Sequence, residues 1–462
     1  MTALPSQPLL AFYGDDFTGS TDAMEVLATH HLDTLLFLRV PTSAEIDTAR
    51  ERFAAVGIAG ISRAKNVPWM DTHLPAVYDA LQRVGAAICH YKVCSTFDSS
   101  PTVGTIGHAL QLGRAAFDMQ TAVPIVVGAP RMRRYTFFGQ LFAAAGTDTF
   151  RIDRHPTMSV HPVTPMDEAD LRVHLSRQAP LRIGLMDIAT QQRPDCPQKL
   201  TQELASNDAV LFDVMDAASQ ARVGEMVWSM AQNYAQSSGA GPLFCVGSSG
   251  LEYALVSHWS QLWPQTVRAI APTAPPVERI IVMSGSCSPV TAGQIRSACA
   301  DGFADIRIDT PALLDEASRA AEFARLRGAA SEALVRGESP LIYSACGPDD
   351  PAIQKLQIFI HERNLDPRAT LALLGRLQGE LLRQLLDSSD VRRVVIAGGD
   401  TSGEVMQALD LVALQLKACL FPGAPLCQGY TALDAEPVVE IALKGGQMGE
   451  ADYFQAARRG CP

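Results

Sequence analysis

The chain reads as short apolar runs separated by longer stretches whose apolar positions recur at helical spacing. The runs are LLAFYG (9–14), TLLFLRV (34–40), AAVGIAG (54–60), AAICHYKV (86–93), AVPIVVGA (122–129), LRIGLMDI (181–188), AVLFDVM (209–215) and PLFCVG (242–247). Later come RIIVMSG (279–285), FADIRID (303–309), PLIYSA (340–345) and RRVVIAGG (392–399). Runs that are apolar nearly throughout, rather than alternating, predict strands covered on both faces. The helices between them supply that cover and the crossovers that parallel pairing needs. The pattern predicts α/β architecture with mainly parallel sheets.

A chain of 462 residues is too long for one ordinary core, so two domains are expected. The clearest break is APTAPPVE (271–278), whose three prolines interrupt any helix and favour an extended connection. It separates a domain over 1–270 from one over 279–462. Hydrophobic residues make up 47% and charged residues 19%, as in a soluble globular protein. A net charge of -11 argues against a nucleic-acid surface, which needs a basic stripe. The ten cysteines are scattered without a C-x-x-C pair, which argues against a disulfide scaffold. No apolar run reaches membrane-spanning length and the N-terminus lacks a signal-type segment, so a cytoplasmic, reduced protein without a membrane partner is expected.

Charge and small residues collect where the predicted strands stop. The first run ends on Asp15-Asp16 and a helix begins at Thr18-Gly19-Ser20. Adjacent carboxylates repel, and in open α/β sheets ligands gather beyond the carboxyl ends of strands, so the pair points to a ligand that uses it. A phosphatase of the D-x-D-x-T type would need a carboxylate at Thr18, so that reading fails. The strand ending on Lys92 opens into Ser95, Thr96, Asp98, Ser99 and Ser100, a set suited to a hydroxylated, acidic small molecule. Arg131, Arg133 and Arg134 follow another strand end and suggest a carboxylate or phosphate clamp. His161, in a proline-fixed loop, reads as a structural hydrogen-bonder.

The second domain repeats one design. Ser284-Gly285-Ser286-Cys287-Ser288 precedes a helix near Pro289, Gly398-Gly399-Asp400-Thr401-Ser402-Gly403 precedes another, and Lys444-Gly445-Gly446 follows a short strand. Three turns offering backbone amides and hydroxyls at helix starts suit nucleotide phosphates. With neither G-x-x-x-x-G-K-[ST] nor a clean G-x-G-x-x-G, a P-loop or ordinary dinucleotide-binding domain is unsupported.

Taken in order, DDFTGSTDA, KVCSTFDSS…GTIG, RRYTFFGQLF, HPVTPMDEADL, GSCSPVTAGQI, GGDTSG and ALKGGQMG make the chain resemble the four-carbon acid sugar kinases over nearly its full length. The resemblance implies two α/β domains, the first binding an aldonic-type acid and the second ATP, with phosphate passing to a terminal hydroxyl across an interdomain cleft. Threonate, erythronate, 3-oxo-tetronate or a related oxo or branched sugar acid would be the acceptor. Asp16 or Asp15 would then orient or deprotonate the attacking hydroxyl, with Lys92, Ser95, Thr96, Asp98 and Arg134 around the acid. Ser286, Ser288, Gly398, Gly399, Asp400, Thr401, Ser402, Gly403, Lys444 and Gly445 would face the nucleotide. Magnesium is expected with ATP, reaching a carboxylate such as Asp400 through water. A homodimer is among the assemblies the sequence allows. Two departures stand out: the family pattern K-x-D-S-T-x-R-G here places Cys94 and Asp98 where an acid and a base are usual, and K-S-G-N-F-G is replaced by Lys444-Gly-Gly-Gln-Met-Gly449. A metal-dependent lyase using Asp15 and Asp16, and a non-catalytic sugar-acid sensor, are the alternatives.

Overall fold

The computed structural model describes all residues except 1–3, 6, 162, 239 and 240; the side chains of 237, 238, 400 and 401 also lie outside the described residues. The strands among the described residues begin with β1 (Leu10–Gly14), β2 (Thr34–Phe37), β3 (Ala55–Ala59), β4 (Ile88–Lys92), β5 (Val123–Val126), β6 (Arg134–Phe137), β7 (Gln140–Ala145), β8 (Asp148–Arg151) and β9 (Ile183–Met186). They continue with β10 (Ala209–Phe212), β11 (Leu243–Gly247), β12 (Ile281–Ser284), β13 (Ala304–Arg307), β14 (Pro340–Tyr343), β15 (Arg393–Ala397), β16 (Ala413–Ala418), β17 (Leu426–Tyr430) and β18 (Val439–Lys444). The chain divides into two compact units, 1–270 and 271–462.

In the first unit the strands run in the order β2-β3-β1-β4-β11-β5-β10-β9, every pair parallel. Near-continuous apolar strands are buried on both faces here, with Phe12, Phe37, Tyr78, Phe212, Phe244 and Trp259 fully enclosed. The register sets Gly14 level with Ala59 on one side and with Lys92 on the other, and Lys92 level with Gly247. After β1 the chain passes to β2 and β3 on one flank and then to β4 on the other. That reversal makes the carboxyl end of β1 the topological switch point, where α/β sheets collect ligands.

Strands β6, β7 and β8 form a separate antiparallel sheet, which the apolar pattern did not predict. Its first hairpin turns through Phe138 and Gly139, both at positive φ (50° and 79°). Such two-residue turns usually declare themselves by Asn-Gly or Asp-Gly, so Phe-Gly hid this one. Asp213 compensates by accepting hydrogen bonds from the Phe138 and Gly139 amides (2.6 and 3.0 Å).

The second unit has the order β13-β14-β12-β15-β18-β17-β16, parallel from β13 to β18 and antiparallel thereafter. Ile280, Val282, Phe303, Leu341, Val395 and Phe454 sit in its core. Ser284, Ala397 and Lys444 are level across three neighbouring strands, so the three glycine- and serine-rich turns leave the sheet along one edge. The proline-rich stretch 271–278, expected as a linker, is fastened to this unit. Ala274 donates to the Gly460 carbonyl (2.8 Å), Val277 to that of Arg458 (3.0 Å), and Arg393 Nη2 to that of Pro275 (2.9 Å).

Candidate active site

In the first unit Asp16 is the N-cap of the helix Phe17–Ala28, accepting from the Gly19 amide (3.0 Å) and the Thr18 hydroxyl (2.7 Å). It also pairs with the Arg63 guanidinium at 3.0 Å. Burial alone would raise its carboxyl, but Arg63 and Lys92 outweigh that and hold it below the usual carboxylate range. Asp15 feels Arg63 and Lys92 as well, but there burial and the Asp16 charge outweigh them. Its backbone is tied by Asp15 N–H to the Lys92 carbonyl (2.9 Å) and by Arg63 N–H to its own carbonyl (3.1 Å). Its side chain is 3% exposed and Oδ1 has no hydrogen-bond partner. Burial, reinforced by the Asp16 charge, pushes it up to about 8.

Lys92, 2% exposed, lies 3.9 Å from Asp22 Oδ2. Burial would favour its neutral form, yet Asp22, Asp16 and Asp15 together hold it above its ordinary value. Gly19 makes the crowding possible: a Cβ there would fall 2.3 Å from both Lys92 Nζ and Asp16 Oδ1. The turn after β4 returns to the same place. Phe97 closes it at φ 58° with its amide on the Cys94 carbonyl (3.0 Å), and Thr96 donates to Asp98 Oδ1 at 2.6 Å. Ser95 is buried in that turn. The charges of Asp15, Asp16 and Asp98 all act on Arg63.

The three arginines expected as one clamp separate. Arg133 holds the carbonyls of Gly146 and Thr147 (2.5 and 2.8 Å) and Arg131 is exposed. Arg134 lies within electrostatic reach of the β4 turn, through the Cys94 sulfur. Its guanidinium donates only to the Met132 and Arg133 carbonyls, its buried Nε is unpartnered, and burial holds it below its ordinary value. His161 accepts from the Thr164 amide (3.1 Å), the structural role expected of it. The pattern missed Arg63, which follows the apolar run of β3 in a short 3-10 turn, Ser62–Ala64. A cation directly after a strand end was the signal available for it.

In the second unit Ser288 caps the helix Pro289–Ala300, accepting from the Thr291 amide (3.0 Å) and donating to the Gly446 carbonyl. Ser286 Oγ accepts from the Ser288 amide (3.3 Å). Lys444 is fully buried (0% exposed) and donates to Thr291 Oγ1 at 2.8 Å, while Thr291 donates onward to Gly446 (2.9 Å). No carboxylate opposes this lysine among the described residues, and burial pushes it down to about 7. The Gly398 amide donates to the Lys444 carbonyl (3.0 Å), and Ser402 Oγ donates back to the Gly398 carbonyl (2.6 Å). Gly399 and Gly403 belong to the same turn and helix start. The side chains of Asp400 and Thr401 lie outside the described residues. Thus Ser286, Ser288, Gly398, Ser402, Lys444 and Gly445 share one edge, joined by Thr291, which the sequence reading passed over. Among the described residues no three acidic, histidine or cysteine side chains are grouped to hold a metal.

Comparison with known proteins agrees with this layout. Residues 10–255 match the family model of a sugar-binding N-terminal domain, and residues 281–454 that of a nucleotide-binding C-terminal domain. The chain is 46% identical to the 3-oxo-isoapionate kinase of Paraburkholderia graminis, over 99% of this chain and 96% of that one. It is 30% identical to the 3-oxo-tetronate kinase of Burkholderia multivorans, over 99% of each. A crystal structure from Salmonella typhimurium LT2, described as a candidate tRNA synthase, superposes with a TM-score of 0.74 at 25% identity, over 97% of this chain and 98% of that one. The fold and kinship define a two-domain phosphotransferase. The chain belongs to the four-carbon acid sugar kinase family, and its activity is ATP-dependent phosphorylation of a sugar acid. That sets aside the lyase and the sensor.

Proposed function

We propose that the first unit binds a 3-oxo sugar acid, that the second binds ATP, and that phosphate passes to a terminal hydroxyl of the acid. The pairing of the buried cations carries this assignment. Arg63 and Lys92 lean on carboxylates of their own unit, whereas among the described residues Arg134 and Lys444 lean on none. A buried cation without a counter-charge is costly, and an anionic ligand offsets that cost. Arg134 therefore takes the substrate carboxylate, and Lys444 the phosphates.

Asp16 orients the attacking hydroxyl. Held ionised by Arg63, it is a weak base, but phosphoryl transfer through a loose transition state asks chiefly for alignment and charge neutralisation. Ser95, Thr96 and Asp98 offer hydrogen-bonding groups to the remaining hydroxyls. In the second unit a side chain at Gly399 would meet nothing within 4 Å, so packing within the protein does not demand glycine there. Close approach of phosphates to the backbone does. Magnesium fits as a companion of ATP rather than a resident ion, since no ligand cluster is built among the described residues. It would neutralise phosphate charge. Ten free cysteines suit a reducing cytoplasm, and a homodimer is the assembly to test alongside.

Because relatives are named for 3-oxo-isoapionate and 3-oxo-tetronate, these are the first acids to test. ADP release, followed with magnesium-ATP and each of these acids plus threonate and erythronate, checks the reading. Acid-dependent ADP formation with a 3-oxo acid is expected. ADP formation with none of the four acids would overturn it.

A further inference from the structure

Two carboxylates stand side by side at the end of β1, and their surroundings are unequal. Asp16 collects an arginine, a hydroxyl and an amide. Asp15 Oδ1 collects no hydrogen bond, although the side chain is buried and its backbone is fixed at both N–H and C=O. Two neighbouring carboxyls cannot both ionise cheaply out of water, and the Arg63 guanidinium pairs with Asp16. The other is then best kept neutral, as a hydrogen-bond donor. A carboxylate in this position would select hydroxyls, which donate; a carboxylic acid selects a carbonyl oxygen, which only accepts.

We propose that Asp15 stands in the free enzyme as a carboxylic acid whose O–H donates to the keto oxygen of the sugar acid, so that it selects 3-oxo acids over their 3-hydroxy counterparts. The inference rests on the sugar-acid reading of the first unit and adds a reason for the keto group. The charged groups that face Asp15 are Asp16 from the helix start, Arg63 from the turn after β3, and Lys92 and Asp98 from β4 and its turn. Tyr13 and Tyr91 also face it, and burial raises both phenols, Tyr13 up to about 12, so neither changes charge in the range that matters. Among these neighbours, burial pushes the Asp15 carboxyl up to about 8.

The test compares kcat/KM for 3-oxo-tetronate and for the matching tetronate from pH 6 to 10, in the wild type and in Asp15→Asn. Asparagine keeps the shape and a donor but cannot ionise. The wild type should favour the oxo acid about tenfold to a hundredfold below pH 8, the worth of one well-placed hydrogen bond, and lose that preference above it. Asp15→Asn should keep the preference at every pH. The same pH response for both acids in the wild type would overturn the proposal, and that profile decides even where the variant is unstable. So would an Asp15→Asn protein, folded by its melting curve, that loses both acids alike. Failure of the wild type to phosphorylate either acid would instead bring down the sugar-acid reading, and the proposal with it.

Discussion

The candidate sites of the two units differ in how they treat charge. The first gathers both signs: Asp15, Asp16, Asp22 and Asp98 among Arg63, Lys92 and Arg134. The second places one lysine among amides and hydroxyls, with no acid opposing it among the described residues. A hydroxylated acid presents donors, acceptors and one negative charge, so its pocket needs all three complements. A polyphosphate presents acceptors and negative charge alone, and a built-in carboxylate would repel it. If the proposed assignment holds, the contrast teaches that charge pairing, more than charge count, separates an acceptor pocket from a donor cradle.

The most severe way to break the contrast is Asp16→Asn. Turnover should fall by roughly a hundredfold or more, the cost of lost alignment, while ADP affinity stays near normal; steady-state kinetics and calorimetry read the two. Near-normal turnover would reduce Asp16 to a helix cap. Next come two reciprocal losses. Arg134→Ala should raise KM for the acid by about tenfold to a hundredfold with little change in ADP binding, and Lys444→Met should weaken ADP by a similar factor with acid binding kept. Lys444→Met should also melt higher in the absence of ligand, because an apolar chain replaces a buried amine.

The smallest effect sharpens the picture of Lys444 through pH. Burial pushes it down to about 7, below its ordinary value. Phosphate binds the charged form, so above pH 7 binding must first take up a proton. ADP affinity should therefore weaken as pH rises from 7 to 9, by at most about tenfold per unit, with proton uptake seen in buffers of different ionisation enthalpy. Affinity flat with pH would mean that the lysine does not meet the phosphates.

Much of this was legible in the sequence, because parallel strands covered on both faces leave uninterrupted apolar runs. Asp15-Asp16, Lys92 and the three glycine-rich turns could be read because each follows such a run. What escaped notice depends on contacts distant in the chain. The β6–β8 sheet was hidden because Phe138 turns its hairpin only with Asp213 holding the turn amides. Strands β16 and β17 (413–418 and 426–430) escaped as well; their partners are antiparallel neighbours rather than helix-linked ones. Arg63 looked like any surface arginine until Asp16 lay 3.0 Å away, and Thr291 like any helix threonine until Lys444 reached it. The arginine triplet misled in the other direction, since Arg133 holds loop carbonyls and Arg131 is exposed.

Hydrogen exchange of the full chain, with ADP alone and with a 3-oxo sugar acid alone, tests the division of labour most directly. ADP should slow exchange at the amides of 285–288, 398–403 and 445–446. The acid should slow 15–20 and 94–98. Protection of 15–20 by ADP, with 285–288 and 445–446 unchanged, would contradict it.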